Sequence, residues 1–275
     1  MIYSHDFKNN YIVLDIETTG LHPEKDSITE IGAIKVIERN IVDEFNMLVN
    51  PQCHISSFIT NLTGISNNLV KNSPVIKDVL PLFFDFIEDL PIIAHNANFD
   101  IGFIKSKSYK FLNKQFTNKY VDTLFISRKI FPHFSTHKLG YLVKALNLKG
   151  HAIHRALDDC YCTHYLYEHM HELSEIKLPK NINKTHILNE KICVFTGTFK
   201  TFNHNDAPDI INRCGGVYAN NVTKKTHYLI VGDKDIRTNE KSTKQKKAEE
   251  YIKDGQNIIM ISEVEFVNII KNLSL

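Results

Sequence analysis

The chain has 275 residues, with 33 Lys and Arg against 31 Asp and Glu, and it is 43% hydrophobic and 23% charged. That balance fits one large or two modest soluble domains and excludes a disordered chain. No apolar run nears the roughly 18–20 residues of a membrane span, and Met1 to Asn10 is too polar for a secretory signal. The five cysteines (Cys53, Cys160, Cys162, Cys193 and Cys214) are odd in number and show no zinc spacing. A secreted disulfide scaffold and a structural zinc finger are therefore not expected, and reduced thiols in a cytoplasm are the default.

The net charge of +2 conceals a pattern. Residues 1–50 hold nine acids against four bases, whereas residues 101–150 hold ten bases against Asp122 alone. An acidic region suits cations and a basic one suits phosphates, although a Lys-rich solvated surface alone would look the same.

In chain order, residues 11–16 form a short apolar run that predicts a buried strand. Residues 28–37 and 41–49 predict two more, joined as a hairpin at Arg39-Asn40. Ser73 and Pro74 suit the N-cap and first position of a helix whose apolar residues run from Val75 to Leu90, with a kink or restart at Pro81. Residues 92–94 predict another buried strand, followed by helices near 98–109, 122–130, 137–146 and 155–172. Strands first, then a strand among helices, imply a mixed sheet covered by helices. Residues 173–189 lack apolar periodicity and predict a linker. A second α/β module follows: strand 192–195, helix 206–214, a Gly215-Gly216 turn, strand 227–231, helix 243–253, strand 258–260 and a last helix from 262.

Three polar groupings sit where these elements begin or end. Asp15 and Glu17 are two apart at a strand end, so they share a face, and a divalent cation would relieve their repulsion. His95, Asn98 and Asp100 follow the strand 92–94, with Asn98 placed to cap a helix and Asp100 in its first turn. His154 and Asp159 are five apart, which on a regular helix puts them on different faces. They converge only if His154 lies on the loop before the helix, where a side chain titrating near neutrality suits a general base. Each grouping alone is a weak signal and reads more readily as surface chemistry or helix capping.

Together, Asp15-x-Glu17-Thr18-Thr19-Gly20, His95-x-Asn-x-x-Asp100 and His154-x-Ala156-x-x-Asp159 resemble the three motifs of the DEDDh (DnaQ-like) 3′→5′ exonucleases, which include the epsilon proofreading subunit of bacterial DNA polymerase III. Val121-Asp122-Thr123-Leu124 and Lys138-Leu139 resemble segments between the second and third motifs. Arg155 stands where the tyrosine subgroup would carry its Tyr. The resemblance implies an RNase H-like mixed five-stranded sheet with flanking helices over residues 1–172, and two Mg²⁺ or Mn²⁺ ions. It implies that Asp15, Glu17, Asp100 and Asp159 hold the metals, that His154 deprotonates the attacking water, and that Thr18, His95 and Asn98 contact substrate.

Ile192 to Gly197, Gly215-Gly216, Thr223 to Gly232 and Ser242-Thr243-Lys244 look like a BRCT domain of the type in bacterial NAD-dependent DNA ligases, a smaller α/β domain with a parallel sheet over residues 190–275. Ser242 stands where that type often has Gly. Thr196, Gly197 and Lys244 match the pocket of phosphate-binding members, which implies a 5′-phosphate DNA end or a protein as partner. A turn and a solvated Lys would look the same. The expected activity is hydrolysis of single-stranded or frayed DNA 3′ ends to nucleoside 5′-monophosphates in replication or repair, in the cytoplasm and away from membranes. The alternatives are a ribonuclease that trims RNA 3′ ends and an idle adaptor that binds DNA ends or proteins.

Overall fold

A computed structural model describes residues 7–131, 133–175, 187–232 and 241–272. The apolar run after Asn10 becomes the middle strand of a five-stranded sheet, β1 (Tyr11–Thr18). It pairs antiparallel with β2 (Ile28–Ile37) and parallel with β4 (Ile92–Ala94). The edges are β3 (Asn40–Leu48) and β5 (Tyr120–Asp122), giving the order β3-β2-β1-β4-β5. This is the mixed sheet of an RNase H-like fold. The two-residue β2–β3 turn lies at Glu38-Arg39, one residue earlier than expected. Both take positive φ, 49° and 66°, as this tight hairpin turn requires. Asn10 accepts the Glu38 amide and Asn40 donates to the Glu38 carbonyl, so flanking side chains hold a turn that has no glycine.

Alternation along β1 sorts its neighbours. Ile12, Leu14 and Ile16 enter a core with Phe83 of α3 (Ile76–Ile87) and Phe103 of α4 (Asn98–Leu112). Tyr11 and Val13 point the other way, towards α7 (Ala156–Glu175): the Tyr11 ring packs edge-on against Tyr167, and its hydroxyl donates to Glu168. Asp15 and Glu17 share this second face. α1 (Ser57–Thr63) and α2 (Asn67–Val70) precede α3, and α5 (Thr123–Ile130) and α6 (Leu139–Ala145) lie between β5 and α7.

Several expectations change. α3 starts at Ile76, not after a Ser73 cap, because the Asn50 amide bonds the Pro74 carbonyl and Asn50 bridges Val75, which keeps 74–75 extended. It runs through Pro81 without restarting. Pro81 and Lys77 are both exposed, so the hydrogen bond that Pro81 forgoes lies on the outer side of the helix. Residue 122 ends a strand instead of opening a helix, and the short helices α1 and α2 were not expected at all.

The chain divides into two compact units, residues 1–125 with 136–169, and residues 126–135 with 170–275. The second contains a four-stranded parallel sheet of order β7-β6-β8-β9, formed by β6 (Ile192–Thr196), β7 (Val217–Ala219), β8 (Tyr228–Val231) and β9 (Ile259–Ser262). α8 (Ala207–Arg213) and α10 (Glu263–Asn272) pack over a core that contains Phe195 and Phe266, and α9 (Thr243–Lys253) covers Val194 and Leu229. Of the expected linker 173–189, residues 173–175 continue α7, Leu188 is buried in the second core, and 176–186 lie outside the described residues. Among the described residues no helix is long and apolar enough to cross a membrane.

Candidate active site

The ladder between β1 and β2 slips between Glu17 and Thr18, and the chain leaves the sheet there. The following loop is closed by the Thr19 amide on the Ser27 carbonyl (2.8 Å) and pinned to α4 by Lys107 Nζ, which donates to the Pro23 carbonyl at 2.7 Å. Thr18 is buried, and its hydroxyl donates to the Gly20 carbonyl at 2.6 Å. Asp15 and Glu17 are thereby held on a rigid strand end.

The other groups arrive from helix starts. Asp100 is buried in the first turn of α4, and its Oδ1 accepts the Ile16 amide at 3.1 Å, which ties it to β1 between the two strand carboxylates. Asp159 is buried in the first turn of α7 and accepts the Ile153 amide at 3.1 Å. His154 lies on the loop before α7, exposed, at φ 57°. Ligand atoms of Glu17, His154 and Asp159 all lie within 4.8 Å of one another. The loop placement is what lets a His and an Asp five residues apart meet.

Burial and mutual repulsion raise the carboxylate pKa values. Asp15 is pushed well above the usual range by burial, then by Asp100, Asp159 and Glu17. Asp100 is raised mainly by burial, against the amides that bond it. Burial, Asp159 and Glu30 push Glu17 up to about 8, with Arg155 opposing. Asp159 rises to about 6 through burial, opposed by the Ile153 amide and His154. Acids that resist ionising together form an oxygen-rich donor set suited to hard divalent cations.

Three supports were not anticipated. Glu30 on β2, directly opposite Glu17, forms a two-point ion pair with Arg155 (2.7 and 3.1 Å) and accepts the Ala156 amide at 3.0 Å. Gly32, opposite Asp15, lets the start of α7 sit directly on β2: a Cβ there would lie 2.5 Å from the Ala156 carbonyl carbon and the Leu157 nitrogen. Asp122 accepts the Asn96 and Leu124 amides at 3.0 and 2.9 Å, which fixes the loop after β4 to the start of α5. Glu30 and Arg155 are 125 positions apart, so no local pattern could reveal them. Gly32 within a strand was a readable sign of close backbone approach.

His95 and Asn98 face protein partners. His95 Nε2 donates to the His137 carbonyl at 2.8 Å and Nδ1 shares a hydrogen bond with the Thr123 hydroxyl at 2.9 Å, so the ring braces two loops. Asn98 is the first residue of α4 and not its cap; its Oδ1 accepts the Tyr120 hydroxyl at 3.2 Å.

In the second unit, Thr196 ends β6, Gly197 follows it, and Lys244 lies in the first turn of α9. The Thr196 hydroxyl donates to Ser242 Oγ at 2.9 Å, and Lys244 Nζ donates to the Phe195 carbonyl at 2.9 Å. Ser242 is the N-cap of α9 and forms a reciprocal capping box with Gln245, which accounts for a hydroxyl at this position.

A family model described as Exonuclease matches residues 12–167, and one described as BRCA1 C Terminus (BRCT) domain matches residues 183–256. Among curated proteins, a "DNA polymerase III PolC-type" from Caldanaerobacter subterraneus subsp. tengcongensis is 45% identical over 170 residues, 62% of this chain and 12% of that protein. The protein of the same name from Clostridium perfringens is 37% identical over 191 residues, 68% of this chain and 13% of that one. This chain thus spans about an eighth of the length of these relatives. Among solved structures, Exonuclease X in complex with 5′ overhanging duplex DNA aligns with a TM-score of 0.51 and 28% identity, over 60% of this chain and 92% of that one. The matched span covers the β1 carboxylates, the α4 and α7 aspartates and the histidine loop, and with it the chain belongs to the Exonuclease family and carries a BRCT domain behind it.

Proposed function

We propose that the chain is a metal-dependent 3′→5′ exonuclease of the DEDDh type that hydrolyses single-stranded or frayed DNA ends to nucleoside 5′-monophosphates in replication or repair. The observation that carries this reading is the convergence of Glu17, His154 and Asp159 within 4.8 Å, from a strand end, a loop and a helix start. Asp15, Glu17 and Asp159 would hold one Mg²⁺ or Mn²⁺ ion and Asp15 with Asp100 a second, a pair that supplies charge stabilisation to the attacking and leaving oxygens of a phosphodiester. His154, exposed on its loop, accepts the proton of the water that attacks the terminal phosphorus. The P–O3′ bond then breaks, the upstream 3′ oxygen takes up a proton from solvent to become a hydroxyl, and the nucleotide leaves with its 5′-phosphate. The loop after Thr18 lies against α4 and offers a surface for the terminal nucleotide. His95 and Asn98 serve that surface by holding its neighbours in place.

DNA is favoured because the relatives' names are those of DNA polymerases and the Exonuclease X structure contains duplex DNA. The ten bases of residues 101–150 would follow the strand, which makes binding salt-sensitive. Residues 1–172 would be the catalytic domain. Residues 190–275, of the DNA-ligase BRCT type, would dock a protein or a 5′-phosphate end near Thr196, Gly197 and Lys244, raising the local concentration of DNA ends in the cytoplasm. The test is digestion of matched 5′-labelled single-stranded DNA and RNA with Mn²⁺ and with EDTA, for the wild type and Asp15→Ala. Mn²⁺-dependent shortening of DNA from the 3′ end, lost in Asp15→Ala, is expected. Faster shortening of RNA would move the substrate to RNA, and no shortening of either by folded protein would leave the adaptor reading.

A further inference from the structure

Glu30 looks at first like a fifth ligand. It lies on β2 directly across the ladder from Glu17, so the two side chains leave the same face of the sheet. Both of its oxygens are occupied, however. Oε1 accepts Arg155 Nη2 at 2.7 Å, and Oε2 accepts Arg155 Nε at 3.1 Å and the Ala156 amide at 3.0 Å. The Glu30 side chain is 1% exposed, while that of Arg155 is 37% exposed. A carboxylate with three donors already aimed at it, in a fork that fixes its plane, is poorly placed to turn towards a cation.

The consequence lies one residue away. His154 holds φ at 57°, a backbone state that a residue with a side chain keeps only when its surroundings impose it. It is exposed, so its own packing does not impose this. Its backbone and its neighbours do: Asp159 holds the Ile153 amide and bonds the His154 amide, and Glu30 holds Arg155. Asp159 belongs to the carboxylate cluster, whereas Glu30 does not join it. Beside the Asp159 anchor, a second path from Glu17 to His154 therefore runs through one ladder pair and one ion pair.

We propose that the Glu30–Arg155 pair is a positioning device that holds His154 at working distance from Glu17 and Asp159. This rests on the reading of His154 as the proton acceptor. With the pair broken, His154 stays in the chain but loses one of its two flanking anchors, so kcat falls while substrate affinity, set elsewhere, is kept.

The test compares kcat and KM on a short single-stranded DNA, in saturating Mn²⁺ and below the melting temperature of every variant. The variants are Glu30→Gln, Arg155→Lys, His154→Ala and the double variant Glu30→Gln/His154→Ala. Glu30→Gln retains an acceptor for the Ala156 amide, and Arg155→Lys retains the charge without the fork. Each single change is expected to lower kcat by roughly 10–100-fold, the scale of a misplacement near 1 Å, with KM within about threefold. In the His154→Ala background, Glu30→Gln is expected to change kcat by less than about twofold, because the group it positions is gone. Loss by the same factor with and without His154 would overturn the proposal and make Glu30 a support of the carboxylates or of the fold. Wild-type kcat in Glu30→Gln would overturn it too. Should Glu30→Gln not fold, Arg155→Lys with and without His154 makes the same comparison. An unchanged rate in His154→Ala itself would overturn the general-base reading instead.

Discussion

Adding one methyl group at Gly32 tests whether the seating of α7 on β2 sets the active-site geometry. The Cβ of Gly32→Ala would lie 2.5 Å from the Ala156 carbonyl carbon and the Leu157 nitrogen, and 2.8 Å from Ala156 Cβ. Carbon contacts are comfortable near 3.5–4.0 Å, so the start of α7 must retreat by about 1 Å or β2 must buckle. All three atoms are backbone or Cβ, so no side-chain rotation relieves the clash. Overpacking of this kind costs about 1–3 kcal/mol, and at roughly 2–4 °C per kcal/mol the melting temperature should fall by about 2–12 °C. The first turn of α7 carries Asp159, and His154 lies two residues before the helix. A 1 Å displacement should therefore lower kcat by roughly 100-fold, well beyond any loss of folded protein. The assay is single-turnover cleavage of a labelled oligonucleotide in saturating Mn²⁺, at least 15 °C below the variant's melting temperature, with calorimetry alongside. A lowered melting temperature with kcat within twofold of wild type would refute the reasoning, because the clash would then be absorbed away from the site.

Gly102→Ala, in the interior of α4, is the counterpart: its Cβ would meet only Pro23 at 3.4 Å, so replacing a mid-helix glycine should raise stability by about 0.5–1 kcal/mol in a urea titration. Ser242→Ala removes the α9 cap and should lower the stability of the second unit by about 1 kcal/mol, seen in its thermal unfolding, with cleavage of short oligonucleotides unchanged. Metal-free protein should lose stability as pH rises from 5 to 8. Glu17 is raised from 4.5 to about 8 and Asp159 to about 6, so in that window the folded state holds more protons than the unfolded one, and each rise in pH favours unfolding. Melting curves in EDTA should therefore shift down across this range, and excess Mn²⁺ should flatten the trend. A melting temperature that climbs from pH 5 to 8 in EDTA would contradict the assignment of a repelling carboxylate cluster.

The legible parts of the site are those that chemistry spaces along the chain. Asp15 and Glu17 share a face because strands alternate, and Asp100 and Asp159 open helices where an acidic residue is at home. His154 had to leave the helix to meet Asp159, and the structure has it on the loop. What stayed hidden pairs distant positions. Glu30 finds Arg155 across 125 residues, and Asp122 finds the Asn96 amide across 26. His95, expected at the substrate, is engaged on both ring nitrogens by groups 28 and 42 positions on. In the fold, the long periodic elements were readable, whereas α1 and α2, seven and four residues long, show too little periodicity to declare themselves. Their Ser56 and Ser66 caps and the left-handed Gly64 were the signals available. The expected Ser73 cap failed because a tertiary bridge to Asn50 overrides a local preference worth about 1 kcal/mol.

In the proposed mechanism the division of labour in the site follows from what each group would have to do. The carboxylates must tolerate one another's charge, which they do only when rigidly placed around cations, and they sit on β1 and on two helix starts that are bonded back to the chain through Ile16 and Ile153. A proton acceptor must instead meet water, release its proton and reset, which favours an exposed ring on a short loop. Such a loop is the least rigid support available, so its precision has to come from its anchors. Asp159 supplies one anchor from within the cluster and Glu30 the other from the neighbouring strand. On this reading an acid that bears no metal acts on the rate through the histidine it positions, and the His154 double-variant comparison separates that role from ligation.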